Sequence, residues 1–286
     1  MKQVLFLSGK GGTGKTSLAA AFAVLTENKV LADCDVDAAN LHLLLDPQVR
    51  EQGEYQGANE VLKNNELCTQ CGACRRVCRY RAVSEDFEID PYLCEGCGAC
   101  VTACPAGALS LELRVSGTWY TAQSSWGPLA GAELLPGEET SGKLVSEVKR
   151  KMSDLAEKEG VEWALIDGSP GIGCPVIASV TGVDAVILVT EPTLSGLHDV
   201  ERALGVVRHF RIPAYLVINK ADLSPELSER LQAFAVENDL PILGKIPYDR
   251  AVPDSLIRGR SVVEQEGSPA GDAMRAIVDC FFAAVS

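Results

Sequence analysis

Histidine is scarce in this chain, and its three copies, His42, His198 and His209, lie far apart. They support neither a histidine metal site nor a nucleophile triad, and read as structural residues. Long apolar runs are missing too. No stretch approaches the roughly 20 residues that cross a bilayer, so no transmembrane helix is expected. Met1 to Gln3 pass directly into the apolar run Val4 to Leu7, which leaves no room for a signal peptide, and a cytoplasmic protein is expected. Positive charge is in deficit: 26 Lys and Arg stand against 39 Asp and Glu, a formal charge of −13. That balance argues against nucleic acid or an anionic membrane as the partner. The C-terminal stretch carries Met274, Ile277, Val278, Phe281 and Phe282 with Arg275 as its one basic residue. Such a helix gains little from anionic lipid and is expected to close the domain instead.

Cysteine, by contrast, is plentiful. Eight of the eleven cysteines fall in two copies of C-x2-C-x2-C-x3-C, the second 26 positions after the first. Cys68, Cys71, Cys74 and Cys78 form one run, and Cys94, Cys97, Cys100 and Cys104 the other, followed by Pro105 as in bacterial ferredoxins. Three thiolates spaced three residues apart on a coiled loop reach three corners of one cubane, and in the ferredoxin pattern the fourth ligand comes from the other run. Two 4Fe-4S clusters are therefore expected. Cys68, Cys71, Cys74 and Cys104 would hold one, and Cys94, Cys97, Cys100 and Cys78 the other. Zinc sites also use C-x2-C pairs, usually with a longer loop between them. An odd cysteine count without a leader argues against a disulfide framework. Cys34, Cys174 and Cys280 lie outside the runs and read as small packed apolar groups. Residues 63–111 hold only −1 of the net charge; Arg75, Arg76, Arg79 and Arg81 within them read as a solvated face.

A second motif lies near the N-terminus. GKGGTGKT, Gly9 to Thr16, follows the strand candidate Val4 to Leu7 and opens a helix with Leu18, Phe22 and Leu25 on one face. This is the strand, loop and helix context of a P-loop. The N-H groups of Gly11, Gly12, Thr13 and Gly14 are expected to wrap phosphate, with Ser17 in the helix's first turn beside it. Lys15 would reach the outer phosphates, and Thr16 would bind Mg2+ through its hydroxyl. ATP with Mg2+ is the expected ligand.

Lys10, directly after the first glycine, makes the loop resemble the deviant Walker A family of MinD, ParA, Mrp and the nitrogenase iron protein. In that family the extra lysine contacts phosphate across a dimer interface, so a homodimer, or a heterodimer with a related ATPase, is implied. The resemblance continues in DCDVDAAN, residues 33–40. It implies a magnesium-shell role for Asp33 and water orientation by Asp35; Asn40 closes the box, and Asp37 reads as a helix cap. Asp167, after Ala164 to Ile166, matches a Walker B aspartate. Asn219 and Asp222 are similar to a base-reading N-K-x-D motif, and Pro247 matches a loop that packs over adenine. Lys10, Lys15, Asp35 and Asp167 are the expected catalytic set.

Strands alternating with helices, one capped at Ser141 and another starting at Ser224-Pro225, predict an α/β fold with a doubly wound, mostly parallel sheet. The motif order places a small α+β ferredoxin-like domain at 63–111, inserted in a P-loop ATPase domain at 1–62 and 112–286. This resembles MinD-superfamily ATPases with an inserted ferredoxin domain. The function it implies is ATP hydrolysis coupled to ATP-gated electron transfer to a redox or iron-sulfur partner protein. A cluster carrier of the Mrp kind and a spatial organiser with a redox-sensing module are the alternatives.

Overall fold

The computed structural model describes residues 1–138 and 142–285. Its chain divides into two compact units. The first comprises Met1–Gly53, Trp119–Glu133 and Thr140–Ser286, and the second Glu54–Thr118 with Leu134–Glu139. The second is wider than the segment 63–111, because the long strands β3 (Gln48–Lys63) and β4 (Leu109–Ser124) each contribute residues to both units.

The remaining strands are β1 (Lys2–Leu7), β2 (Lys29–Asp33), β5 (Gly127–Leu134), β6 (Trp163–Asp167), β7 (Ala185–Thr190), β8 (Ala214–Asn219) and β9 (Ile242–Ile246). Together they form a nine-stranded sheet in the order β3-β4-β5-β2-β6-β1-β7-β8-β9. From β5 to β9 every neighbouring pair is parallel. At the sheet's edge β4 and β5 are joined by only Ser125 and Trp126, a connection that antiparallel neighbours alone permit.

Central parallel strands are covered on both faces and so read as continuous apolar runs. Val4 to Leu7 of β1 and all of β7 are buried. Val4 and Phe6 join the core that includes Leu18 and Phe22 of α1 (Lys15–Leu25) and Met274, Ile277 and Phe281 of α10 (Pro269–Val285), the helix that follows α7 (Leu194–His209), α8 (Pro225–Glu237) and α9 (Ala251–Ile257). Leu5 and Leu7 are equally buried and, by the two-residue period of a strand, face the opposite layer. There α5 (Gly142–Glu159) packs on β2 and on α6 (Cys174–Val180). Phe22 meets Phe6 and Phe281 edge to face, with centroids 4.9 and 5.6 Å apart. The C-terminal helix thus spends its apolar stripe on the core.

Three local expectations differ from the structure. Leu25 is 37% exposed rather than buried with Leu18 and Phe22, because the small residues Ala19, Ala20, Ala21 and Ala23 let α1 bury most of its circumference and its last turn emerges. Asp37 caps no helix: the next one, α2 (Leu41–Leu45), has Asn40 at its N-cap. Cys34 is buried, but Cys174 and Cys280 are exposed, the first opening α6 and the second on the outward side of α10. Ser141 lies outside the described residues.

The second unit repeats one device. In α3 (Ala73–Val77) and α4 (Ala99–Ala103) a left-handed glycine, Gly72 at φ 72° or Gly98 at φ 73°, reverses the chain just before a cysteine-bearing turn. Cys78 and Cys104 then cap the two helix ends. Val61, Cys100 and Leu109 form the buried centre of this unit, with Ile89 against it.

Candidate nucleotide and cluster sites

Register brings the acidic residues to one edge. Phe6 and Asp33 both pair with Asp167, so the P-loop after β1 and the acidic box after β2 begin level with the end of β6. This carboxyl edge is where doubly wound folds collect ligands. Gly14, at φ 93°, starts α1, and a Cβ there would lie 2.2 Å from Asn219 Nδ2, so only glycine fits.

Lys15 Nζ donates to Asp167 Oδ1 at 2.6 Å and stands 3.6 Å from Asp35 Oδ2. Thr16 Oγ1 donates to Asp167 Oδ2 at 2.6 Å. Burial alone would lower the Lys15 ammonium, but Asp167, Asp35 and Asp33 outweigh it and hold the pKa above the usual lysine value. Asp33 is fully buried. It accepts N-H groups from Asp35 at Oδ1 and from Asn40 and Leu41 at Oδ2, which makes it the scaffold of the box loop. Burial and the neighbouring Asp167 push its pKa up to about 7 against the pull of Lys15. Burial likewise raises Asp35, opposed by Lys15.

A cavity of about 610 Å³ opens over these groups. Gly11 to Ser17, Asp35, Asp37 and Asn40 line it, with Leu43 and Leu256 at the apolar side. The Thr13 hydroxyl is buried and has no partner among the described residues, as expected of a loop built to meet an anion's oxygens. The donor set therefore fits a nucleotide phosphate chain, with Thr16 and Asp167 as hard oxygen ligands for Mg2+. Asn219, Asp222 and Pro247 are not in this lining. Asn219 Nδ2 instead donates to Thr13 O at 2.7 Å, supporting the loop from behind, and Asp222 Oδ1 accepts from Tyr248 N at 2.6 Å, fixing the segment that carries Pro247.

Lys10 points away from the cavity. It pairs with Glu191 at 2.8 Å and donates to Ser195 Oγ at 2.9 Å and Thr193 Oγ1 at 3.3 Å. Glu191 also pairs with Lys220 at 3.0 Å. Glu191 was not expected at the site, and Lys220 was expected only as the lysine of the base-reading N-K-x-D motif. The available signal was position, since each directly follows a strand on the carboxyl edge.

In the second unit, one cavity is lined by Cys68, Cys71, Cys74 and Cys104, and another by Cys78, Cys94, Cys97 and Cys100. Ile89 lines both. Each is a small space of about 20 Å³. Among the described residues no three His, Cys, Asp or Glu side chains converge tightly enough to hold one metal ion. Ala108 N donates to Cys104 Sγ at 3.3 Å, and the N-H of Ala73 holds the Cys71 thiol below its usual pKa. Burial raises Cys100.

A P-loop opening a helix at the carboxyl edge of a parallel sheet, with an acidic pair beside its lysine, defines a P-loop nucleotide-binding protein. The family model for the CobQ/CobB/MinD/ParA nucleotide-binding domain matches residues 4–262. The chain belongs to that family, and so to the MinD/ParA-type ATPases. An uncharacterised protein of Methanocaldococcus jannaschii, MJ0578, is 33% identical over 280 residues, covering 97% of this chain and 95% of its own. The septum site-determining protein MinD of Synechocystis is 26% identical, covering 92% of this chain and 82% of its own. In fold, the chain is similar to MinD complexed with Mg-ADP from Pyrococcus horikoshii, with a TM-score of 0.62, 18% identity and coverage of 100% and 97%. Among the described residues no helix is long and apolar enough to cross a membrane.

Proposed function

We propose that this chain hydrolyses ATP and couples its nucleotide state to two 4Fe-4S clusters, for ATP-gated electron transfer to a redox or iron-sulfur partner protein in the cytoplasm. The observation that carries the reading is the sorting of eight cysteines into two quartets, each with three thiols from one run and one from the other. That sorting supports an inserted ferredoxin-like domain with crossed ligation.

At the nucleotide site, Lys15 exchanges Asp167 for the outer phosphate oxygens, and Thr16 with Asp167 would hold Mg2+. The helix N-terminus and loop N-H groups take the remaining phosphate charge. Asp35 orients a water in line with the bond from the γ-phosphorus to its bridging oxygen. Water adds, that bond breaks, and ADP and phosphate leave; positioning and charge neutralisation supply the acceleration. A second copy, or a related ATPase, would bring its own Lys10 to the phosphates. In the other unit the two quartets would each hold a cluster, which when bound supplies one-electron redox chemistry. Ala108 and Ala73 donate to Cys104 and Cys71 of the first quartet, which favours the thiolate of Cys71.

The test is reciprocal linkage. A potentiometric titration with and without a non-hydrolysable ATP analogue should shift a cluster potential, and reduction should change analogue affinity by the matching free energy, about 1–3 kcal/mol. If both arms are flat, gated electron transfer is refuted.

A further inference from the structure

Lys10 carries the family resemblance, yet its ammonium is engaged within its own chain. An ammonium has three donor hydrogens, and Glu191, Thr193 and Ser195 provide three acceptors for Lys10 Nζ. The lysine side chain is 32% exposed and the glutamate 17%, so the pair is shielded in part and resists screening better than an open surface pair. Glu191 is held in place from several directions. It follows the last residue of β7, its carbonyl accepts the N-H of Thr193, and its second oxygen binds Lys220. Lys220 in turn donates to Gly12 O in the P-loop. Burial raises the Glu191 carboxyl, but Lys10 and Lys220 together bring it below the usual glutamate range, so it is anionic across the neutral range.

We propose that Glu191 is a positioning residue that competes with phosphate for Lys10. It holds the lysine against the first turn of the helix Leu194–His209 until a second copy's nucleotide offers a stronger anion. The inference rests on the proposed phosphate role of Lys10. It adds that the lysine's availability, and with it the readiness of the chain to pair around ATP, is set by a carboxylate on the same chain. Lys220 remains on Gly12 when Lys10 leaves, so the P-loop keeps its support while the lysine moves.

The experiment is a double-mutant cycle of Glu191→Gln and Lys10→Ala in the full chain, read by ATP turnover against ATP and protein concentration, with monomer ADP affinity and thermal unfolding measured beside it. Glutamine removes the charge and keeps one acceptor oxygen, enough for one of the two lysines that now bind separate carboxylate oxygens. Glu191→Gln alone should lower the protein concentration for half-maximal turnover and the KM for ATP several-fold, with kcat and ADP affinity retained. Against Lys10→Ala the same substitution should change neither. Equal effects of Glu191→Gln with and without Lys10 overturn the proposal and make Glu191 a structural residue acting through Lys220. Turnover that needs Lys10 but ignores Glu191→Gln overturns it as well. Wild-type turnover in Lys10→Ala alone removes the phosphate role of Lys10, and the proposal with it.

Discussion

Cys78 belongs by sequence to the first cysteine run, but it lines the cavity of Cys94, Cys97 and Cys100, while Cys104 lines that of Cys68, Cys71 and Cys74. If each cavity takes one cubane, the loaded chain carries about eight irons, about four per quartet. Cys78→Ala removes one thiolate from the second quartet and none from the first. The anaerobically reconstituted variant should therefore hold about four irons. Single variants do not say which quartet was lost, but pairs do. Cys78→Ala combined with Cys97→Ala strikes one quartet twice and should still leave about four irons; combined with Cys71→Ala it strikes both and should leave almost none. Iron and sulfide analysis gives the counts, and low-temperature EPR of the reduced protein shows whether one or two paramagnets remain. Uncrossed ligation reverses the two double variants. About four irons with Cys71→Ala and almost none with Cys97→Ala would refute the pairing drawn from the cavities.

Asp35→Asn should leave ATP bound while slowing hydrolysis by about 10²- to 10⁴-fold, the scale for a lost water-positioning group; calorimetry beside phosphate release checks both halves, and unchanged turnover removes Asp35 from its role. Asp33 has a pKa of about 7 in the folded chain, above the value of about 3.9 for an unfolded aspartate. The folded state therefore keeps a proton the unfolded state has lost, so the Asp33 contribution is complete below about pH 4 and is lost as pH rises through about 7. Urea titrations at about pH 5 and about pH 8 should show that decline in the wild type and a flatter one in Asp33→Asn; identical slopes contradict it. Phe281→Ala deletes a fully buried ring that meets Phe22 and Tyr215 at centroid distances of 5.6 Å each. It should destabilise the chain by about 3–5 kcal/mol in urea unfolding, and a loss near zero would mean that α10 is not part of the core.

What the sequence determined by itself was chemistry set by covalent spacing. A glycine loop ending in Lys15-Thr16, cysteines three residues apart and aspartates just after apolar strands are legible because the backbone carries each motif within a few residues. The strand and helix alternation followed from apolar periodicity in the same way, although burial of Leu25 did not, since exposure at a helix end depends on what packs there. Tertiary structure decided the remainder. The strand order sets β6 between β1 and β2, and that adjacency puts Asp167 within reach of Lys15, 152 positions away in the chain. It also turned Asn219 toward the back of the P-loop rather than into the cavity, and gathered Lys10, Glu191 and Lys220 from three strand ends. No local pattern encodes such a meeting. Ion pairs of this kind form between side chains that the hydrophobic sheet has already brought together, and their distances depend on which strands neighbour one another and in which register.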